Sequence, residues 1–225
     1  MYSPPPGYSI VEIRGYIAPV LAYNNMLYTL VPVKDNYGKY YLLRVVFDIG
    51  TNNLWMNIVW GPDKNMPLVL MQTPIQYRYV YSNRHFAFTS SSNITIIDVI
   101  NGGVTTSKLP FKTVEIANYD IRFSYDGRTL YVLYKDSSGI IRLTVLFANG
   151  SIYKTIALNE ISLVESLSMT IVPRTNIVLI AGELNAIYSV DVENETISFS
   201  VAYPLFKPID ISIVTQYYTS IPWIK

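Results

Sequence analysis

Apolar residues in this chain fall into short runs, each closed by a cluster of Gly, Asn, Asp or Ser, and the runs recur in groups. The clearest group spans the middle of the chain. Val114 to Phe123 reads as a strand, Tyr125-Asp126-Gly127 as a turn, Thr129 to Tyr134 as a second strand, Lys135 to Gly139 as a turn and Ile140 to Phe147 as a third strand. Asn149-Gly150 follows, a dipeptide suited to a type I′ turn because both central residues there need positive φ, and it leads into Ile152 to Leu158 as a fourth strand. Four antiparallel strands in one repeat describe a propeller blade.

Related phrases begin at Tyr23-Asn24-Asn25, Tyr81-Ser82-Asn83 and Pro173-Arg174-Thr175, giving a period of roughly 45 to 60 residues. The second unit predicts strands at Gln76 to Tyr81, His85 to Thr89, Asn93 to Val99 and Val104 to Leu109. The fourth predicts Leu163 to Val172, Ile177 to Ala181, Ala186 to Val192 and Thr196 to Val201. The first fits more loosely, with Ile17 to Ala22, Met26 to Val31, Tyr40 to Asp48 and Leu54 to Trp60. Asn159 to Leu167 is the one stretch with a helical turn in its pattern, and its serines weaken it. Two ends remain, and both alternate as strands, at Tyr8 to Ile13 and Ile209 to Val214. A ring of blades must close on itself, so the expectation is a single all-β domain over residues 1–225. It is a β-propeller of five four-stranded blades, the last closed by the N- and C-terminal strands. The alternative is an open β-sandwich.

Composition shifts the emphasis toward contact surfaces. Half of the 225 residues are apolar and 15% are charged, against roughly 25% charged in an average soluble domain. Twenty tyrosines suit both sheet faces and interfaces, since the ring packs while the hydroxyl stays hydrogen-bonded. A net charge of +1, with no block of Lys or Arg, argues against nucleic acid as a partner. The absence of cysteine excludes disulfides and thiolate metal sites. No apolar run is long enough to span a bilayer, and the N-terminal residues lack the basic and apolar regions of a secretion signal.

Phe123-Ser124-Tyr125-Asp126-Gly127-Arg128-Thr129-Leu130-Tyr131-Val132, followed by Asn149-Gly150-Ser151-Ile152, resembles the YVTN and quinoprotein-like β-propeller repeats. Tyr125 stands where those repeats usually carry proline. The resemblance covers one blade and implies the fold without an activity, because propellers host enzymes, sensors and scaffolds alike. The composition is similar to that of structural proteins of viruses infecting hyperthermophilic archaea, including tail components of spindle-shaped viruses. The low charge departs from the Lys and Glu enrichment usual in thermophiles.

Candidate chemistry is sparse. His85 is the sole histidine, so a multi-imidazole metal site is excluded, and its place beside Phe86 and Phe88 reads as packing between blades. Glu115, Asp120, Glu165, Glu183 and Asp210 are the carboxylates that a glycosidase-like propeller would draw on, with Asp120 and Asp210 on predicted first strands facing the axis. Asn93-Ile94-Thr95, Asn149-Gly150-Ser151 and Asn194-Glu195-Thr196 match the N-glycosylation pattern, and Asn149 and Asn194 fall in the same hairpin of successive units. Interface candidates are Tyr2, Pro4, Pro5, Pro6 and Tyr8 in an expected polyproline II leader, and Trp60 and Met66 in an expected loop insertion. Tyr217, Tyr218 and Trp223 near the C-terminus complete the set.

The expectation from sequence is therefore a non-enzymatic structural or adaptor subunit without cofactor or metal. Its partners would be other protein subunits of a homo- or hetero-oligomeric assembly, with a glycan possible, and its setting a virion tail or extracellular surface of an archaeal virus. A carbohydrate-binding or glycoside-cleaving propeller is the alternative.

Overall fold

The computed structural model describes residues 3–13, 16–63, 70, 79–90, 93–109, 119–161, 168–181 and 186–201. Among them, seventeen strands form four antiparallel sheets that follow one another along the chain. The first sheet contains β1 (Tyr8–Ile10), β2 (Val20–Tyr23), β3 (Met26–Asp35), β4 (Tyr40–Asp48) and β5 (Asn53–Asp63). The second contains β6 (Tyr79–Tyr81), β7 (His85–Ser90), β8 (Asn93–Asp98) and β9 (Val104–Lys108). The third contains β10 (Tyr119–Phe123), β11 (Thr129–Lys135), β12 (Ile141–Phe147) and β13 (Ile152–Ala157). The fourth contains β14 (Met169–Ile171), β15 (Ile177–Ala181), β16 (Ala186–Asp191) and β17 (Thr196–Val201). Sheets two to four are simple meanders, and β10 lies against both β6 and β14, so the first strands gather on one side of the stack.

The period-two alternation of each strand explains why the sheets stack. In β11, Leu130, Val132 and Tyr134 pack toward the second sheet, while Tyr131 and Leu133 pack toward the fourth. In β7, Phe86 and Phe88 face the first sheet and Ala87 the third. A strand apolar on both sides needs a neighbour on each, and three separate clusters of buried residues fill the three spaces between consecutive sheets. The far face of the first sheet is also apolar. Leu27, Val31, Val45, Phe47, Leu54 and Met56 lie on it half-buried, and Val20 and Ile58 are exposed there.

One backbone bond recurs in all four sheets. Ile49 N–H donates to Asn25 O, Val99 to Arg84 O, Ala148 to Arg128 O and Val192 to Asn176 O, at 2.8 to 2.9 Å. Counting the meander β2–β5 as the four strands of the first sheet, with β1 added beside β3, each joins the hairpin between a sheet's third and fourth strands to the turn between its first and second. An aspartate at the end of the third strand caps that hairpin in three sheets. Asp48 accepts from Gly50 N–H, Asp98 from Ile100 and Asn101 N–H, and Asp191 from Glu193 and Asn194 N–H, all through Oδ1. In the third sheet Asn149 Oδ1 takes the role, accepting from Ser151 N–H at 3.0 Å.

Consecutive sheets are also tied through these hairpins. Arg44 on β4 donates from Nε to Val99 O at 2.7 Å and from its terminal nitrogen to Ile100 O. Ser107 on β9 donates to Gly150 O, and Lys154 on β13 donates to Val192 O and Glu193 O at 3.2 and 3.3 Å. Gly150 must be glycine for two reasons: its φ is 83°, and an added Cβ would sit 2.5 Å from Ser107 Oγ. Each hairpin thus presents carbonyls to a donor on the sheet before it.

Several expectations are corrected here. The strand Tyr8–Ile10 pairs with Val33 to Asp35 of β3, so the N-terminal strand belongs to the first sheet and not to a separate fifth one. This follows from the length of β3, which extends past β2 and leaves its second half open for pairing. The C-terminal strand, Ile209 to Val214, lies outside the described residues; among the described residues the four sheets are not closed into a ring. Pro4 to Tyr8 is not a continuous polyproline II leader. Tyr8 N–H donates to Pro5 O at 3.1 Å with Gly7 at φ 86°, so Pro6-Gly7 makes a tight turn that delivers the chain into β1. Trp60 to Asp63 continues β5 as strand, and the rest of the expected loop, 64–67, lies outside the described residues. No helix among the described residues is long and apolar enough to cross a membrane.

Arg44→Ala should cost about 2 kcal/mol through two lost charge-assisted bonds. The melting temperature should fall by roughly 4–8 °C, and differential scanning calorimetry checks it. Acid is the second probe. The Thr51 hydroxyl and Gly50 amide hold the Asp48 carboxyl below the ordinary range, Arg142 does so for Asp136, and Asn194 for Asp191. Burial opposes ionisation at Asp98, but Arg84 and the turn amides outweigh it, and that group also titrates low. Depressed carboxyls contribute stability that is complete above the unfolded value of about 3.9 and lost as pH falls through the folded values. The melting temperature should therefore decline modestly as pH falls below about 6.5, where the half-buried His85 protonates more readily unfolded, and more steeply below about pH 4; an unchanged value at about pH 2.5 would contradict this.

Candidate functional site

In a meander, the turn between strands one and two and the hairpin between strands three and four emerge at the same end. Four stacked sheets therefore present all these turns on one rim. The best-formed of them is Ser124-Tyr125-Asp126-Gly127-Arg128-Thr129. Ser124 Oγ donates to Asp126 Oδ1 at 2.7 Å and accepts from Thr129 N–H at 3.0 Å, and Asp126 Oδ1 accepts from Arg128 N–H at 3.1 Å. The Ser124 hydroxyl, with the Arg128 amide, holds the Asp126 carboxyl below its usual range. Gly127 turns the chain at φ 69°. It presses against the corresponding turn of the second sheet so closely that a Cβ would lie 2.7 Å from Ser82 Oγ.

The same turn in three successive sheets carries an arginine. These are Arg84, Arg128 and Arg174, and all three are exposed. Arg84 forks onto Asp98 Oδ2 at 2.9 and 2.6 Å, which fixes its guanidinium at the rim. Arg128 is 86% exposed and stands 3.8 Å from Asp126, a solvent-screened pair of little energetic weight. Arg174 sits at φ 61°, a left-handed conformation unusual for a residue other than Gly or Asn. Tyr23 and Tyr125 are also exposed, at 53% and 58%. Two depressions join these groups. One, of about 380 Å³, is lined by Tyr23, Arg84, His85, Asn101, Asp126 and Arg128; the other, of about 300 Å³, by Tyr125, Asp126, Tyr131, Arg174 and Asn176. Asp126 borders both, so the depressions form one interrupted groove across the turns of three sheets.

The groove is lined by guanidinium groups, phenol faces, amides and the Asp126 carboxylate with the Ser124 hydroxyl bonded to it. His85 on β7 is half-buried, its Nδ1 3.1 Å from Gly127 O and its ring 6.1 Å from that of Phe123. Burial pushes its pKa down, with Asp98 and the Gly127 contact opposing in part. It packs between the second and third sheets, as the sequence suggested. Asp120 does not line a channel. It is 2% exposed, accepts Met169 N–H at 2.9 Å across the third and fourth sheets, and pairs with Arg122 at 3.3 Å. Among the described residues, no group of three or more His, Asp or Glu is placed to hold a metal ion. Glu115, Glu165, Glu183 and Asp210 lie outside those residues.

The interface candidates fare unevenly. Trp60 is half-buried and meets Phe88 edge to face at 4.6 Å, so it belongs to the space between the first two sheets. Tyr8 is half-buried, edge-on to Tyr41 at 5.5 Å, beside a half-buried Pro4 and Pro5 and an exposed Pro6. Tyr2, Met66, Tyr217, Tyr218 and Trp223 lie outside the described residues. Of the three glycosylation sequons, Asn149 and Asn194 do share the rim, in the β12–β13 and β16–β17 hairpins. Ser151 Oγ donates to Asn149 Oδ1 at 2.7 Å, and Asn194 donates its amide to Asp191. Asn93 begins β8, and Thr95 of its sequon is buried against Thr106.

Neither the arginine triad nor the capping aspartates emerged from reading the sequence. The signal was present in Asp48-Ile49, Asp98-Val99 and Asp191-Val192, each closing a third strand, and in an arginine within each first turn of units two to four.

No protein-family model matches the chain, and no curated protein matches it. Solved structures do show similarity. One is the β-propeller domain of the Trilobed protease from Pyrococcus furiosus, described as having an open velcro topology. Its identity is 11% and its TM-score 0.47, covering 83% of this chain and 57% of that one. Citrobacter koseri AztD gives 10%, 0.47, 83% and 59% on the same measures, and the RRP9 WD40 repeats give 11%, 0.44, 89% and 56%. The chain thus spans less than three fifths of the length of each. Its own fold is read from its strand pairings.

The single imidazole permits a direct check on the junction of the second and third sheets. In proton NMR the ring resonances of His85 should titrate with a midpoint below the ordinary 6.5. A midpoint at or above that value would mean the ring is solvated and the packing misjudged.

Proposed function

We propose that this chain is a non-enzymatic interaction module, a propeller-type scaffold that contributes one rim to a larger protein assembly. The observation that carries the reading is the repetition of an exposed guanidinium in the same turn of three successive sheets, with Tyr23 and Tyr125 beside it. Each turn is bonded to its own hairpin and the sheets are packed through buried clusters, so the groups are held at fixed spacing. Backbone turns held in place lower the ordering cost of binding, the Arg84 guanidinium is itself fixed on Asp98, and Arg and Tyr are residue types enriched among interface hot spots. The complementary surface is a protein segment bearing carboxylates and an aromatic or aliphatic anchor.

The titratable groups that would be needed for chemistry are engaged in packing where they are described. His85 spans a sheet junction and Asp120 ties two sheets. That supports a binding role over a catalytic one. The low charge and the composition similar to archaeal viral tail proteins support placing the assembly in a virion or on an extracellular surface. Closure of the sheets into a complete propeller belongs to the same proposal.

Isolation of the native complex tests it. The chain should purify with at least one other polypeptide in fixed stoichiometry. Arg128→Glu combined with Arg174→Glu should release that polypeptide, weakening binding at least about tenfold. The melting temperature should stay within about 2 °C, since both side chains are exposed. Retention of the partner by the double variant would overturn the rim assignment.

A further inference from the structure

The outer strand of the first sheet differs from the others. β5 has 11 residues, whereas β9 has 5, β13 has 6 and β17 has 6. It ends the sheet order β1-β3-β4-β5, so one side pairs with β4 and the other is an edge. Among the described residues, no backbone hydrogen bond reaches that second side. From Asn53 to Gly61 the strand carries neither a charge nor a proline, the devices by which natural sheets protect their edges; β9 and β13 each carry a lysine, and β17 is likewise uncharged but spans only six residues. Trp55 is 49% exposed and Ile58 36%, with Asn53 and Asn57 exposed between and before them.

We infer that β5 is a strand-addition site, and that its occupant is β5 of a second copy of this chain, paired antiparallel across a two-fold axis at Met56. This deepens the assembly reading above by naming one neighbour and the edge it uses. The argument for a second copy is self-complementarity. Leu54, Met56 and Ile58 form one row on the sheet, beside Phe47, Val45 and Leu43 of β4, while Trp55 and Asn57 face the other way beside Val46 and Arg44. With Met56 on the axis, Leu54 stands opposite the partner's Ile58 and Met56 opposite its own copy, so the apolar row meets itself in full. Trp55 then stands opposite the partner's Asn57. An axis at Trp55 would set Ile58 against Asn52, and an axis at Asn57 would set Leu54 against Trp60, so either breaks the match. No charge opposes another in the chosen register, and pairing with β4 is regular over Asn53 to Ile58, the stretch that would form the contact. An edge so free of charge discriminates poorly for a charged partner strand and well for a copy of itself.

The absence of cysteine makes the test clean. In sedimentation analysis across concentration, the full chain should approach twice 25.6 kDa. Met56→Lys, which places two ammonium groups opposite each other, should raise the dissociation constant at least about tenfold with unchanged circular dichroism. Met56→Cys should form a disulfide dimer under mild oxidation, because opposed strand residues fall within the roughly 4.4–6.8 Å Cα separation a disulfide spans. Tyr37→Cys, on a residue 89% exposed in the β3–β4 turn, should not. A monomer at every concentration, or a dimer indifferent to Met56→Lys, or no cross-link at position 56 would overturn the inference; a strand from a different protein on this edge would appear as the first of these. Arg128→Glu with Arg174→Glu leaves the β5 dimer intact, so failure at the rim and failure at this edge are read separately.

Discussion

Every sheet in this protein has apolar residues on both of its faces, and the rest of the structure follows from the need to cover both. A half-polar sheet can face water on one side. A strand such as Thr129–Lys135, with Leu130, Val132 and Tyr134 on one face and Tyr131 and Leu133 on the other, cannot. Sheets of this kind must be stacked in series, as the second and third are here, each between two others. The inter-sheet bonds from Arg44, Ser107 and Lys154 then fix the lateral position of each sheet against the next hairpin. Apolar burial supplies the free energy and the bonds supply the register, which is the usual division between non-directional and directional forces.

Stacking also makes the surface. Because each unit is a meander, its turns emerge at one end, and stacking places equivalent turns side by side at the spacing of packed sheets. An arginine once per unit is unremarkable in sequence, but three units in a row place Arg84, Arg128 and Arg174 along one groove. The bond from hairpin amide to turn carbonyl, present in all four sheets, keeps each turn from moving independently.

Much of the fold was legible beforehand. The expected strands Tyr40 to Asp48, Ile177 to Ala181 and Thr196 to Val201 match the observed bounds, because Gly, Asn or Glu-Asn-Glu turns precede each of them. Errors arose where a residue type has two uses. Pro4-Pro5-Pro6 suggested an extended leader, but Gly7 converts its end into a turn. Trp60 suggested an exposed anchor, and packing against Phe88 draws it inward. Asp120 suggested a channel acid, yet the adjoining sheet offers it the Met169 amide. In the candidate site, the Ser124 to Thr129 turn was recognised as a repeat, while its partners Arg84 and Arg174 were not, since nothing in one strand's pattern says which exposed residue will have a counterpart alongside.

By itself the sequence determined the strands, the turns and the grouping into units, because alternation and turn chemistry act within a few residues of each other. It also determined that stability rests on packing and hydrogen bonds, since cysteine is absent. Tertiary structure decided which sheet β1 joins, where His85, Asp120 and Trp60 point, and that three turns share a groove while β5, among the described residues, ends its sheet. Those outcomes depend on contacts between residues far apart in the chain, and local propensity carries no information about which distant neighbour will be met.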